Sequence, residues 1–293
     1  MAELIPLVYA LHSGNLYGTE RMALATAAAL SNQFEPTIMA PAGPVHEEGR
    51  RREFKTVQFS SGEDFAFRLR PILAQSEKLA FIATGVMHSV ACLFWMGIYR
   101  RSVAHLHLVH GGANERLSYG RKKYLNGMKV KLVAVSEYVK ERLVANGTRA
   151  AQVDVIENFL PSRMLGETPR RWPFTSGGIR RVAVVSRLDP EKRVGLLLDA
   201  IEQNSDLRDI DVHVYGTGWQ ADELKQRAAK RGLRIHFEGF RPDIAEQLAQ
   251  SDLLVHLCPV EPFGLAILEA IAARVPVLAP DEGGAGSLVR EQA

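Results

Sequence analysis

Short runs of apolar, β-branched residues alternate along the chain with stretches in which apolar residues recur every three or four positions. This alternation predicts strands followed by helices, the pattern of parallel α/β sheets. In the first half, strands are predicted at 4–11, 36–40, 56–59, 80–84, 105–110, 132–135 and 154–156. In the second half they are predicted at 181–186, 211–215, 234–237, 253–257 and 275–279, with helices starting at Pro190, Ala221, Pro242 and Phe263.

The two strand series are separated by a stretch with no periodicity, residues 161–178, which is rich in Arg, Pro and Gly and predicts a linker. A chain of 293 residues is also longer than a single core usually organises. We therefore predict two doubly wound, Rossmann-like α/β domains, at 1–170 and 171–293. We expect them to face each other across a cleft, the default ligand site of such proteins.

One segment, residues 79–99, contains no charged side chain and is long enough to cross a bilayer. Thr84-Gly85 and His88-Ser89 interrupt it, which favours a buried strand, a turn, and a helix over 90–99. The N-terminus, MAELIPLVYAL, carries an acidic residue and no basic region. It therefore predicts a first strand rather than a signal peptide.

Charge is unevenly distributed along the chain. Up to Ser176 there are 22 basic and 15 acidic side chains, and beyond it 14 and 18. Basic clusters at 50–52, 100–101 and 121–123 could meet phosphates, acidic acceptors or anionic lipid head groups, or could simply form solvated helix faces. We expect peripheral contact with a membrane. We do not expect nucleic-acid binding, because these clusters lack interleaved aromatic residues apart from Tyr119 and Tyr124.

Cysteine usage indicates the redox environment. The chain has two cysteines, Cys92 and Cys258, each in an apolar run without metal-type spacing. This pattern is typical of a reducing compartment. Together with the absence of a signal sequence it predicts a cytoplasmic protein, at most peripheral at the inner face of a membrane.

Three loops of the second half are predicted at the carboxyl ends of strands, where open α/β sheets bind ligands. The loop YGTG, containing Gly216, could bring backbone amides near a phosphate or nucleotide, although a simple turn is an equally ordinary interpretation. Arg187 and Lys192 surround a helix start, an arrangement suited to a diphosphate. A third helix start, kinked by Pro262 and Gly264, presents further free amides.

Two carboxylates, Glu261 and Glu269, are separated by eight residues in the stretch VEPFGLAILEA. If the segment between them were helical, its rise would be about 12 Å. Retaining glycoside hydrolases need carboxyl groups about 5–5.5 Å apart. The spacing therefore favours two carboxylates that contact different parts of one long ligand, and a sugar diol would suit the buried Glu269.

These segments together resemble the donor half of retaining glycosyltransferases of the GT-B fold, family four. The resemblance is carried by the Glu-x7-Glu pattern, which is the signature of that family, and by VSRLDPEKRVGLLLDAI, YGTG, FEGFRPDIAEQLAQSDLLVH and EPFGLAILEAIAARVPVLAPDEGG. It implies that Glu261 contacts the donor hexose and Glu269 the ribose hydroxyls. It also implies that Arg187 and Lys192 bind the diphosphate.

The same resemblance implies further binding residues. Gly216 and the turn at Phe240-Arg241 would flank the nucleotide, and Phe263, Gly264 and Leu265 would form the helix start that faces the donor. In the first half the likeness is looser. GNLYGTER, with Gly18, resembles the glycine-rich loop near the diphosphate, and His110 in HLVHGG resembles the histidine that faces the donor sugar. Ser136 and Asn158 correspond to two further short motifs of the family.

The sequence departs from the family pattern at several positions. Arg274 replaces a glycine at a helix end, which implies either a left-handed backbone costing roughly 1 kcal/mol or a differently built turn. Tyr17, Phe159 and Ser287 also replace family residues. The chain ends at Ala293, earlier than the resemblance implies. We therefore expect a short second domain, either natural or truncated.

Two patterns suggest a metal site but have simpler explanations. His105 and His107 share one face of a predicted strand, yet no third ligand is near them in the sequence, so packing is the favoured interpretation. Asp209-Ile210-Asp211 has the form of a metal-diphosphate motif, but it precedes a strand and so lies at the wrong end of the sheet for a ligand. We expect no metal and no tightly bound cofactor.

The sequence therefore predicts a retaining hexosyltransferase. Its donor would be a nucleotide-diphosphate sugar, with UDP-sugar preferred, and its acceptor a glycan, a lipid-linked glycan or a small molecule, as in polysaccharide biosynthesis. Two alternatives stay open. One is a catalytically impaired sugar-nucleotide binding protein. The other is a different GT-B enzyme, such as a nucleotide-sugar epimerase or a phosphorylase, although we see no lysine signal for the pyridoxal phosphate that phosphorylases commonly use.

Overall fold

The computed structural model describes residues 4–161, 178–241 and 243–292. The chain divides into two compact units, Met1–Phe159 and Leu160–Ala293. Most of the predicted linker, and the predicted boundary between residues 170 and 171, lie outside the described residues. Each unit contains its own parallel sheet, as the alternating pattern predicts.

The first unit is built on a seven-stranded sheet with the order β3-β2-β1-β4-β5-β6-β7, in which all pairings are parallel. Its strands match the seven predicted positions to within two residues: β1 Ile5–Ala10, β2 Phe34–Ala40, β3 Lys55–Gln58, β4 Leu79–Ala83, β5 Val103–Val109, β6 Lys131–Ala134 and β7 Val153–Val155. Strands β2 and β3 are added on one side of β1, and β4 to β7 on the other side. The switch point therefore lies between β1 and β4, where a doubly wound fold has its ligand crevice.

The helices of the first unit are α1 Gly18–Ala29, α2 Val45–Arg51, α3 Gly62–Gln75, α4 Val86–Tyr99, α5 Glu115–Ser118 and α6 Glu137–Ala145. The turn predicted at His88-Ser89 is wrong, because α4 already begins at Val86. Both polar side chains are buried in α4, and the Ser89 hydroxyl bonds to histidines of β5 instead of breaking the helix. Within the described ranges, no helix is both long and apolar enough to cross a membrane.

The second unit has a five-stranded parallel sheet with the order β10-β9-β8-β11-β12. Its strands are β8 Arg181–Val185, β9 Asp211–Tyr215, β10 Ile235–Gly239, β11 Leu253–Val255 and β12 Val277–Leu278. The central strand β8 pairs with β9 on one side and β11 on the other, so this is where the winding reverses. The loops that follow β8 and β11 therefore meet at the expected ligand crevice of this unit.

The helices of the second unit are α7 Val194–Gln203, α8 Ala221–Arg231, α9 Ile244–Ala249, α10 Leu265–Ala272 and α11 Gly283–Gln292. The helix predicted from Pro190 starts as a 3-10 turn, Pro190–Lys192, before α7. The helix predicted from Phe263 starts two residues later, and Pro242 lies outside the described residues. The left-handed backbone predicted for Arg274 is confirmed, with a φ of 58°.

Candidate active site at the carboxyl edge of the second sheet

Two loops of the second unit are locked together at the edge of the sheet. The backbone N–H of Leu188, in the loop after β8, donates to Thr217 O at 2.9 Å, and Gln220 N donates to Leu188 O at 3.0 Å. A Cβ at Gly216 would lie 1.9 Å from Ser186 O, and one at Gly218 would lie 2.5 Å from Leu188 backbone atoms. Both positions therefore require glycine.

This close approach changes the interpretation of the YGTG loop. The Gly216 amide already donates to Gly239 O at 2.7 Å, so it does not serve a phosphate in this structure. The glycines bring the β9 loop against the β8 loop. They position the segment that carries Arg187 and Lys192.

The strongest feature of the site is an ion pair between residues that are far apart in the sequence. Lys192 Nζ lies 2.6 Å from Glu261 Oε2, with side chains only 16% and 15% exposed. The two residues belong to the loops after β8 and β11, which adjacent strands bring to the same edge. Lys192 and Glu261, which were predicted as separate binding residues, therefore contact each other in the structure.

The charge state of the pair follows from its surroundings. Burial raises the pKa of Glu261, but contacts with His256 and Lys192 outweigh it and bring the pKa to about 2. Burial lowers the pKa of Lys192, yet the Glu261 carboxylate more than compensates, and the net pKa is raised. Both groups are therefore charged at neutral pH.

Arg187 is held by acidic neighbours in its own loop. Its guanidinium lies 2.6 Å from Asp189 Oδ2 and 2.9 Å from Glu191 Oε1, and the Arg187 side chain is 46% exposed. Both predicted diphosphate-binding cations are therefore engaged with carboxylates. An anionic ligand would therefore have to displace these carboxylates before it could bind Arg187 and Lys192.

Helix α10 carries the remaining predicted donor residues. Gly264 precedes it with a φ of 99°, a left-handed conformation that redirects the chain into the helix. Phe263 is buried, Leu265 is the first helical residue, and Glu269 is only 6% exposed one turn further along. Ile267 N and Leu268 N donate to Gly264 O, and the partial positive charge of the helix N-terminus favours an anion at this end.

The first residues of α11 contact the backbone of the Glu261 loop. Gly284 N donates to Glu261 O at 2.8 Å, and a Cβ at Gly284 would lie 2.1 Å from Pro262 O. The DEGG segment therefore fixes the backbone of Glu261. Ser287, where the family resemblance implies a Glu, lies within α11.

The predicted nucleotide turn follows β10. Phe240 is 58% exposed, which leaves its ring available for stacking. Arg241 forms two hydrogen bonds of 2.9 Å with the Asp243 carboxylate. The charge of Arg241 is therefore balanced by Asp243, and its guanidinium is held in one orientation.

Sequence reasoning missed two residues of this site. His256 directly follows β11, and its Nε2 lies 3.4 Å from Glu261 Oε2. Cys258 was considered only as part of an apolar run, yet its thiol lies close to His256 and Glu261. The position of His256 at the carboxyl end of a strand is a signal that could have identified it.

In the first unit the predicted site residues lie at strand ends. His110 directly follows β5 and precedes Gly111, whose φ is 76°. Burial, with a smaller contribution from His12, lowers the pKa of His110 to about 4, so the imidazole is neutral at pH 7. Gly18 is the first residue of α1, in the loop after β1.

His105 and His107 have a packing role, as predicted. Both are buried, and both bond to Ser89 Oγ, at 3.1 and 2.9 Å respectively. Within the described ranges, no third ligand completes a metal site with this pair. Asp211 begins β9 and binds Arg234, at the amino end of the strand, as expected for a residue outside the ligand edge.

Three members of the basic clusters of the first unit have partners within the fold. Lys122 is 8% exposed and donates to Leu117 O at 2.8 Å. Burial lowers the pKa of Lys122 to about 8. Arg51 and Arg52 form ion pairs with Glu47 and Glu48 on α2.

Comparisons with known proteins define the class. Residues 17–162 match the family model described as Glycosyltransferase Family 4, and residues 174–293 match the one described as Glycosyl transferases group 1. The two parallel-sheet units are those of a glycosyltransferase with the GT-B fold. The chain belongs to the family-four, group 1 glycosyltransferases.

Curated relatives are distant and longer. A GDP-mannose-dependent alpha-mannosyltransferase of Mycobacterium tuberculosis is 28% identical over 178 residues, which cover 59% of this chain and 45% of the relative. An uncharacterized glycosyltransferase of Methanocaldococcus jannaschii is 24% identical over 84% of this chain and 67% of its own length. The chain thus spans between about half and two thirds of these relatives.

Solved structures share the fold. HepE of Anabaena, in complex with UDP and glucose, has a TM-score of 0.76 at 22% identity, covering 97% of this chain and 82% of that one. A glycosyltransferase of Rickettsia africae has a TM-score of 0.77 at 18% identity, covering 99% and 88%.

Proposed function

We propose that the protein transfers a hexose from a nucleotide-diphosphate sugar to a glycan, lipid-linked or small-molecule acceptor. The observation that carries this proposal is the largely buried Lys192–Glu261 pair, whose Glu261 lies three residues before Gly264 at the start of α10. A cation, a carboxylate and the N-terminal end of a helix at one sheet edge are groups suited to a sugar diphosphate, which supports the proposal. The GDP-mannose and UDP named for relatives are consistent with a nucleotide donor.

In this proposal the diphosphate replaces carboxylates as the partner of the cations. Arg187 and Lys192 bind the phosphate oxygens, and the amides at Gly264 and Leu265 add further donors. These groups stabilise the charge that develops on the departing diphosphate, which is the main catalytic contribution we assign. Gly18 contributes a loop backbone near the diphosphate.

In this proposal each of two carboxylates binds one of the two sugars of the donor, the hexose and the ribose. Glu261, released from Lys192 by the diphosphate, accepts hydrogen bonds from the hexose hydroxyls. Glu269 does the same for the ribose hydroxyls, and Phe240 with Arg241 borders the base. His110, neutral at pH 7, is proposed to orient the transferred hexose.

We propose that transfer retains the anomeric configuration by attack on the same face, assisted by the leaving phosphate. In this proposal Glu261 accepts hydrogen bonds from the hexose hydroxyls, so it is assigned to binding the sugar and not to forming a bond with its anomeric carbon. Mass spectrometry of enzyme quenched during turnover tests this idea. A covalent glycosyl-enzyme would overturn it.

Calorimetric titration with UDP, GDP and ADP, with and without Mg²⁺, tests the donor site. We expect one nucleotide to bind, with UDP preferred, independently of metal, and this binding to be lost in Glu269→Ala. Glu223→Ala, on the exposed face of α8, is the matched control and should bind normally. Binding of no nucleotide would reject the proposal, and binding without turnover on any acceptor would leave a sugar-nucleotide binding protein.

We further propose that the first unit touches an anionic membrane through α4. An exposed apolar row runs along this helix, formed by Met87, Val90, Phe94 and Ile98. Arg100 follows its end, so apolar and basic groups adjoin as they do in interfacial helices. Co-sedimentation with anionic vesicles should fall in Phe94→Ser but not in Leu196→Ser, which removes an exposed leucine from α7. Equal sedimentation with neutral vesicles would contradict the proposal.

A further inference from the structure

We propose that the second unit contains a binding site for a thiophilic divalent cation such as Zn²⁺, formed by His256, Cys258 and Glu261. One imidazole nitrogen, one thiol sulfur and one carboxylate oxygen from these residues all lie within 4.8 Å of one another. All three come from the loop that follows β11, within six consecutive residues. No donor-binding role has been assigned to His256 or Cys258.

The burial of the ligands supports a built site. His256 is 5% exposed and Cys258 is 2% exposed, so neither is a surface group that happens to be near an acid. The Nε2 atom of His256 is buried without a hydrogen-bond partner of acceptable geometry, although Glu261 Oε2 lies 3.4 Å away. A buried ring nitrogen without a partner is costly, and a metal ion would satisfy it.

The set of ligands selects the cation. A thiolate favours Zn²⁺ over Mg²⁺ or Ca²⁺, and three protein ligands with one open position are typical of accessible zinc sites. Zinc–ligand bonds of about 2.0–2.3 Å place tetrahedral ligand atoms roughly 3.5 Å apart. The three side chains would therefore have to converge by about 1 Å, which rotamer adjustments can supply.

The ammonium of Lys192 competes for this position. Lys192 Nζ is 2.6 Å from Glu261 Oε2, an oxygen of the carboxylate that a metal would use. Binding of Zn²⁺ would deprotonate Cys258, releasing that proton to solvent, and would displace the protonated Lys192 side chain. One divalent cation then faces one thiolate and one carboxylate, so the charge of the group is balanced.

A consequence follows if the proposed function is correct. Because Lys192 and Glu261 are proposed to bind the donor, Zn²⁺ and the nucleotide sugar would exclude each other. The site would make the enzyme sensitive to thiophilic metals in a family member whose catalysis we propose to be metal-independent. The cation would act as an inhibitor and would take no part in the transfer.

Cobalt titration of the intact chain tests the site without any nucleotide. With Co²⁺ as the probe we expect one equivalent to bind, with tetrahedral visible bands and a near-ultraviolet thiolate-to-cobalt band. Cys258→Ser should abolish the thiolate band, and His256→Ala should weaken binding by more than about tenfold. Cys92→Ser, which changes the other buried thiol of the chain, should leave both signals intact.

A further variant tests the competition with Lys192, and a measurement on the unchanged chain keeps the test decisive if a variant folds poorly. In Lys192→Met the competing ammonium is gone, so Co²⁺ should bind more tightly than in the unchanged chain. In the unchanged chain, calorimetry of Zn²⁺ binding in two buffers of different ionisation enthalpy should reveal the released thiol proton. Absence of a thiolate band, its persistence in Cys258→Ser, or its loss in Cys92→Ser would overturn the proposal.

A last measurement separates the two proposals. Zn²⁺ should weaken UDP binding to the unchanged chain and leave UDP binding to Cys258→Ser unaltered. If UDP does not bind at all, the donor-site proposal fails while the cobalt result still decides the metal site. If UDP binds equally with and without saturating Zn²⁺, the exclusion between the two ligands is rejected.

Discussion

At the scale of single residues, the Lys192–Glu261 pair dominates the second unit. Removing one partner of a buried ion pair leaves an uncompensated charge, which costs about 3–5 kcal/mol. We expect Lys192→Met to destabilise the protein by about that amount at pH 7, and Lys192→Met/Glu261→Gln to recover most of it. Urea unfolding of the unchanged chain, of Lys192→Met, of Glu261→Gln and of the double variant measures the cycle. A double variant no more stable than Lys192→Met would contradict a coupled pair.

The pH dependence of this pair has a defined sign. The pKa of Glu261 is lowered to about 2 in the folded state, from an ordinary value of 4.5. Its contribution to stability is therefore fully present above pH 4.5 and is lost as the pH falls towards 2. In Glu261→Gln the acid dependence of unfolding should be shallower in this window.

Buried histidines make the first unit sensitive to milder acid. Burial lowers the pKa of His88 and His105 to about 4, below the ordinary 6.5. Between these values the unfolded chain binds protons that the folded chain does not, so stability falls as the pH falls from about 6.5 to 4. Each histidine contributes a slope of about 1.4 kcal/mol per pH unit.

Replacing one of these histidines tests that slope. His88 packs against Phe59 and Phe65, with ring centroids 5.3 and 4.4 Å away, so His88→Phe preserves an aromatic contact. Denaturant unfolding between pH 4 and 7.5 should show a shallower dependence in this variant. An unchanged slope would mean that His88 does not titrate as its burial implies.

At the scale of elements, the loops after β8 and β9 depend on glycine. Gly216→Ala would place a Cβ 1.9 Å from Ser186 O at a φ of 142°. We expect a loss of several kcal/mol and weaker nucleotide binding, because the loop carrying Lys192 must shift. Gly195→Ala is the matched control, since its Cβ would lie in ordinary contact, 3.9 Å from Leu224.

The outcome for this glycine pair is read from thermal unfolding. Gly195 lies inside α7, where alanine is favoured over glycine by up to about 1 kcal/mol, so the control should be neutral or stabilising. Equal effects of the two substitutions would show that the loop contact at Gly216 is not tight in solution.

The prediction of elements from the sequence worked best where periodicity is strong. Strands β1 to β11 lie within two residues of their predicted positions, because alternation and β-branched composition are local signals. Helix starts were less accurate. The turn expected at His88-Ser89 does not exist, because β5 supplies partners for Ser89 that no local pattern reveals. Similarly, α7 begins only after Arg193 adopts a left-handed φ of 53°.

At the scale of the whole molecule, ligand binding should stabilise one unit selectively. UDP at 100 times its dissociation constant should add about 2.7 kcal/mol to any unit that binds it only when folded. Hydrogen exchange followed by mass spectrometry should therefore show slower exchange at 186–193 and in α10. This protection should vanish in Glu269→Ala. Protection confined to β1–β7 would place the nucleotide in the other unit.

The fold class, the two sheets and the family could be predicted from the amino-acid sequence, because they depend on periodic patterns and short motifs. The sequence also selected Arg187, Lys192, Glu261 and Glu269 as chemical groups. Only the tertiary structure decided which of these meet. The pairing of Lys192 with Glu261 spans 69 positions, and it arises because β11 lies beside β8 in the sheet.

The tertiary structure also decided the role of groups whose sequence signal was weak. His256 and Cys258 lie beside Glu261 in the loop after β11, with one potential ligand atom of each within 4.8 Å of the others. Lys122, counted as part of a basic surface, is buried against a carbonyl. Local sequence specifies the type of each element and its approximate bounds. The partner of a charged side chain, and therefore its pKa and chemistry, is set by contacts that form only when distant segments pack together.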